Sequence, residues 1–115
     1  MGKVFIERGV FSGLMGKVYV CKRGDVVPGM VRMFNIKERE VLVANVAGEF
    51  FCIGNLCPHR QAPLSDGFLE GRKVICSHHG AEVDLESGKV SFPMPLPNGE
   101  KFPVMIEGED VFIEI

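Results

Sequence analysis

No stretch of this chain approaches the roughly 20 consecutive apolar residues that a membrane-spanning helix needs. Lys3, Glu7 and Arg8 interrupt any apolar run at the N-terminus, so a signal-peptide pattern is missing as well. Cytoplasmic residence is therefore the expectation. The net charge of −2 lacks the basic excess of a nucleic-acid-binding domain. Helix signals are nearly absent, and there are neither internal repeats nor low-complexity tracts.

What remains is the pattern of a small all-β domain. A chain of 115 residues is normally one domain, and 46% hydrophobic content supports a real but modest core. Fourteen glycines and seven prolines punctuate short β-branched and aromatic runs. Strands are predicted over 17–21, 31–35, 40–46, 49–53, 72–76, 82–84, 102–107 and 110–115. Ala47-Gly48 and Gly108-Glu109 read as tight hairpin turns, and Glu86-Ser87-Gly88 as a further turn. Residues 4–11 alternate weakly, as an edge strand or a loop. The charge is uneven: residues 1–60 carry nine basic and five acidic side chains, residues 61–115 four and ten. Ordinary solvated faces are the leading reading; a dipole that steers partners is the other.

Two short patterns carry the chemistry. Cys57-Pro58-His59 is followed, sixteen residues on, by Cys76-Ser77-His78-His79. Each offers one thiolate and one imidazole. Two Cys and two His suit a [2Fe–2S] centre in which one iron takes both thiolates and the other both imidazoles. Structural zinc also accepts this set, and the spacing alone does not separate the two. In a cytosolic chain such a pattern points to metal rather than to disulfides. Cys21 and Cys52 sit in apolar runs outside both motifs and read as buried packing residues. Beyond the candidate ligands only His78 remains. No Ser/His/Asp constellation exists, and a mononuclear iron triad would need further histidines and a carboxylate.

The residues around the motifs read Asn55-Leu56-Cys57-Pro58-His59-Arg60-Gln61-Ala62-Pro63-Leu64-Ser65-Asp66-Gly67 and Val74-Ile75-Cys76-Ser77-His78-His79-Gly80-Ala81-Glu82-Val83. From about Val18 to the C-terminus the chain resembles the Rieske family, in its soluble ferredoxin branch. That branch includes the ferredoxins of ring-hydroxylating dioxygenases and the small subunit of assimilatory nitrite reductase. The resemblance implies a single Rieske domain over residues 1–115. It implies antiparallel sheets with a small cluster-binding subdomain at about 55–85. It also implies one [2Fe–2S] cluster per chain, held by Cys57, His59, Cys76 and His79, with a proline-bearing loop near Pro93 as a shield. Gly67, Gly71 and Gly80 are expected to let the backbone turn tightly there; Arg60, Gln61, Arg72 and Lys73 are candidate rim residues, with a solvated surface role as the leading reading and partner docking as the other.

High-potential relatives carry a disulfide between cysteines at the Ala62 and His78 positions. They also carry a serine at the Ala81 position and a tyrosine at the Val83 position. All four are missing here, so a low potential is expected. The function that follows is electron carriage, without substrate chemistry, from a flavoprotein reductase to a terminal oxygenase or similar enzyme. A small subunit of a nitrite reductase-type complex is the alternative, and a structural zinc module the less favoured one.

Overall fold

The computed structural model describes residues 16–56, 63–77, 80–91 and 99–115. They form strands β1 (Lys17–Lys22), β2 (Val31–Ile36), β3 (Arg39–Val46), β4 (Glu49–Gly54), β5 (Phe68–Glu70) and β6 (Lys73–Ile75). Strands β7 (Glu82–Asp84), β8 (Val90–Ser91), β9 (Lys101–Phe102), β10 (Val104–Glu107) and β11 (Asp110–Glu114) follow. Three antiparallel sheets result, in the orders β1–β11–β10, β2–β3–β4–β9 and β5–β6–β7–β8. The described residues contain no α-helix, only single 3-10 turns at Arg23–Asp25 and Leu64–Asp66. The predicted all-β class holds.

Strand β3 explains the layering. It reads Val41-Leu42-Val43-Ala44, an unbroken apolar run where a half-exposed strand would alternate with polar residues. Side chains alternate between the faces of a strand. Leu42 and Ala44 accordingly join an apolar cluster with Ile53, Leu64, Val74, Val83 and Leu85. Val41 and Val43 join another with Cys21, Cys52, Val111 and Ile113. The sheet containing β3 is thus covered on both faces, by the β1–β11–β10 sheet and by the β5–β8 sheet. Full burial of each such side chain contributes about 1.5–3 kcal/mol.

Two of the hairpins turn through left-handed residues. Ala47 and Gly48, with φ of 52° and 96°, join Val46 to Glu49 as the primed turn that matches strand twist. Lys37 and Glu38 do the same between Ile36 and Arg39, with φ of 51° and 63°. Neither is glycine, so this turn carries no sequence signal. Gly108, at φ 62°, opens the predicted turn from β10 to β11.

One predicted strand is divided. Residues 102–107 do not run continuously: Lys101–Phe102 pairs with β4 in the central sheet, whereas Val104–Glu107 pairs with β11 in another. Pro103 lies at the switch. It has no N–H for a ladder, while its carbonyl still accepts from the Glu114 N–H at 3.0 Å. The short β5 and β8 lack a readable sequence signal. Residues 4–11 and the Pro93–Pro97 loop lie outside the described residues.

Part of the uneven charge is folded onto itself. Lys17 pairs with Glu107, Lys22 with Asp110 at 2.9 Å, and Arg39 with Glu100. Basic side chains of the first half meet acidic ones of the second across sheet edges. The solvated reading of the asymmetry fits these pairs better than a steering dipole. Each exposed pair contributes at most about 1 kcal/mol.

The third sheet is locked to the chain that enters it. Between the Leu64–Asp66 turn and β5, Gly67 lies flat against β6. A Cβ placed on Gly67 would overlap the backbone oxygen of Ile75. The φ of −90° is ordinary, so the requirement for glycine is close approach, not conformation. Gly67→Ala is expected to cost about 3 kcal/mol, near the upper end for overpacking, because backbone rather than a side-chain tip must move. Gly71→Ala faces open space at φ 62° and should cost only about 1–2 kcal/mol. Urea unfolding of the two variants checks this; equal, small losses would contradict the close contact.

Candidate metal centre

The second motif caps a hairpin. The chain leaves β6 at Ile75 and enters β7 at Glu82, and the turn between them is closed by backbone bonds. The Cys76 N–H donates to the Ala81 oxygen at 2.8 Å, and the Gly80 N–H donates to the Cys76 oxygen at 2.9 Å. Gly80 sits at φ 72°, where other residues are strained. Cys76 is therefore held by its backbone at the hairpin end. Its side chain is buried and forms no disulfide. It belongs to the apolar cluster that also contains Ala81, Val83, Val74 and Leu64.

The described residues flanking the first motif form a closed base. The chain leaves β4 at Gly54 and returns at Pro63. Leu56 and Pro63 form an isolated antiparallel bridge, and the Leu64 N–H donates to the Asn55 oxygen at 2.6 Å. Residues on either side of Cys57 and His59 thus run side by side. The returning leg proceeds through the Leu64–Asp66 turn to Gly67, against Ile75. The leg leaving the first motif and the strand entering the second therefore touch, although the motifs are far apart in sequence.

Of the four candidate ligands, Cys76 falls within the described residues; Cys57, His59 and His79 lie outside them, as do His78, Ala62, Arg60 and Gln61. Among the described residues no group of three or more His, Cys, Asp and Glu side chains is gathered. What the structure does offer fits the implied cluster. Cys76 is a free soft donor in an apolar setting, and both motif loops spring from one joined base. Two thiolates and two imidazoles match a Rieske-type centre.

Two expectations about the surroundings need correction. Arg72 and Lys73 do not flank Cys76. They stand at the opposite end of β6, where Arg72 pairs with Glu49 at 2.5 Å and Glu86 at 3.2 Å and lies over the Phe51 ring. Lys73 pairs with Glu82 at 3.1 Å. Arg72 straps the third sheet to the central one, so its role is structural. Gly71, in the same turn, is likewise remote from Cys76. At that sheet's other turn, the N–H groups of Ser87 and Glu86 hold the Asp84 carboxyl below its usual range.

The other cysteines are interior. Cys21 and Cys52 are free and buried in the cluster between the first two sheets. Burial pushes the Cys21 thiol up to about 11 and that of Cys52 to about 12. Both stay protonated and poor in metal affinity at neutral pH.

With this geometry in place, similarity to known proteins decides the family. The Rieske [2Fe-2S] domain matches residues 16–113. This chain belongs to the Rieske family. The ferredoxin component of biphenyl 2,3-dioxygenase from Rhodococcus jostii (strain RHA1) is 35% identical over 102 residues, 88% of this chain and 94% of that protein. The ferredoxin component of the naphthalene 1,2-dioxygenase system of Pseudomonas aeruginosa is 34% identical over 91 residues, 79% of this chain and 88% of that one. The structure of a Sphingomonas yanoikuyae B1 ferredoxin superimposes with a TM-score of 0.80 at 30% identity, covering 87% of this chain and 99% of that one. The chain is thus a Rieske-type ferredoxin, of a kind that carries electrons rather than transforming substrates. No helix among its described residues is long and apolar enough to cross a membrane.

The buried thiols of this Rieske domain give it an alkaline limit. A thiol whose folded pKa lies above its ordinary 9.0 keeps its proton in the fold, while the unfolded chain gives it up. Stability from Cys21 and Cys52 is therefore complete below about pH 9 and is lost as pH rises towards 11 and 12. Cys21→Ala/Cys52→Ala should be less stable at pH 7 but lose less between pH 9 and pH 11. Urea midpoints across that range check it; parallel declines would contradict the assignment.

Proposed function

We propose that this chain carries single electrons within a ring-hydroxylating dioxygenase system. In this reading a flavoprotein reductase supplies the electron and a terminal oxygenase accepts it, in the cytoplasm. The observation that carries the proposal is the extent of similarity to ferredoxin components of dioxygenases, which reaches 94% of the length of the Rhodococcus jostii protein. The described residues have an apolar core on both sides of β3.

The proposed ligands are Cys57 and Cys76 on one iron and His59 and His79 on the other, within a cluster-binding subdomain at about 55–85 of a single domain. When bound, a [2Fe–2S] cluster of this type stores one electron reversibly, and its neutral imidazoles place its potential above that of all-cysteine clusters. The protein's part is to hold the ligand loops rigid and to set the surroundings of the sulfurs. Here the Cys76 setting is apolar. Ala81 and Val83 are fully buried and share the cluster with Cys76, so neither side chain can donate a hydrogen bond to sulfur. Fewer donors mean less stabilisation of the more negative, reduced state.

A midpoint potential of about −150 mV, at the bottom of the Rieske range, follows. Ala81→Ser puts a hydroxyl in a dry site and should raise the midpoint on the order of 50 mV, since a charge-assisted hydrogen bond is worth about 1.5–3 kcal/mol and acts on both oxidation states unequally. Protein-film voltammetry of the wild type and the variant tests this. A wild-type midpoint above about +100 mV would contradict the low-potential carrier.

A further inference from the structure

Asn55 occupies an unusual position two residues ahead of the first motif. It is 1% exposed, and all of its polar groups are engaged. Its backbone N–H donates to the Glu40 oxygen at 3.1 Å, and its backbone oxygen accepts from Leu64. Its side chain adds two bonds. Nδ2 donates to Glu40 Oε1 at 3.0 Å, and Oδ1 accepts from the Ser65 N–H at 2.9 Å. One residue therefore ties three segments: β3, the leg entering the first motif loop and the leg leaving it. A buried amide costs free energy unless it is bonded, and here both Nδ2 and Oδ1 are. The amide does what an apolar side chain cannot: it fixes a distance between two legs ten residues apart in sequence. Two residues beyond Ser65 the same leg meets Ile75 through Gly67, so the constraint reaches the strand that bears Cys76.

We propose that Asn55 is a positioning residue for the metal centre, its side chain fixing the loop that carries Cys57 and His59 relative to the strand leading to Cys76. Glu40 is its anchor on β3. The proposal rests on the reading of Cys57, His59, Cys76 and His79 as ligands of a [2Fe–2S] cluster.

The test uses the cluster-loaded protein and three variants: Asn55→Ala, Glu40→Ala and Glu40→Gln. The readouts are the width of the electron paramagnetic resonance signal of the reduced protein and the rate at which a ferrous chelator strips iron well below the unfolding temperature. Asn55→Ala should release iron about tenfold faster than wild type and broaden the signal, because the ligand loop samples a wider range of geometries. Glu40→Ala should move both readouts in the same direction by less. Glu40→Gln retains an acceptor oxygen and should stay within about twofold of wild type. An Asn55→Ala protein that melts earlier but keeps the wild-type signal and release rate would make Asn55 merely structural and overturn the proposal. Should Asn55→Ala not fold, Glu40→Ala decides the matter from an exposed position, and an unchanged signal and rate there overturn the proposal too. A wild type that binds zinc and no iron would instead remove the ligand reading itself, and this proposal with it.

Discussion

The contact between Gly67 and the backbone of Ile75 is the constraint on which the site depends. Two donor motifs sixteen residues apart can serve one metal centre only if their loops are brought together and kept there. The chain solves this with close backbone contact, to which the Asn55 side chain adds a tie. The return leg of the first loop passes so close to β6 that only hydrogen fits between them, and β6 then delivers Cys76 at its end. Asn55 closes the base of the first loop, and the bonds around Gly80 close the second. Interiors are packed densely enough that such contacts transmit position rather than absorb it.

That small sheet is stable because β3 lends it a floor. Leu42 and Ala44 face it, while Val41 and Val43 face the β1–β11–β10 sheet, so one strand serves two cores. The division also separates roles among the cysteines. Cys76 lies on the side of the motif loops, whereas Cys21 and Cys52 lie between the other two sheets with pKa values far above neutrality. Arg72 joins the small sheet to the central one through Glu49, at the end of β6 away from Cys76.

Much of this was legible in the sequence, and the exceptions have physical causes. Seven strands were readable within about two residues, because apolar runs such as Val41–Ala44 are bounded by turn residues. Phe68–Glu70 and Val90–Ser91 were not, since two or three residues carry no periodicity, and such strands form through their neighbours. The Lys37-Glu38 turn was hidden because neither residue favours positive φ by itself. Pro103 was visible, but its meaning was not: a proline can end a strand or mark a change of sheets, and tertiary pairing decides which. At the site, residue type and spacing point to the candidate donors, of which Cys76 lies within the described residues. Asn55 gave no comparable signal, as a lone asparagine before a loop is ordinary in composition and distinctive only in what it bonds. Arg72 and Lys73 fit the solvated surface reading rather than a docking rim, since proximity to Cys76 in sequence along an extended strand is distance in space.

The central claim is that two histidines and two cysteines of this chain hold one [2Fe–2S] cluster. Pulsed electron paramagnetic resonance of the reduced protein, with histidine labelled by nitrogen-15, addresses it most directly. Two distinct, strongly coupled histidine nitrogens are expected in the wild type. A single coupling should remain in His59→Cys and in His79→Cys, provided that each variant retains its cluster. A cluster that shows no histidine coupling, or that keeps both couplings in either variant, would contradict the account.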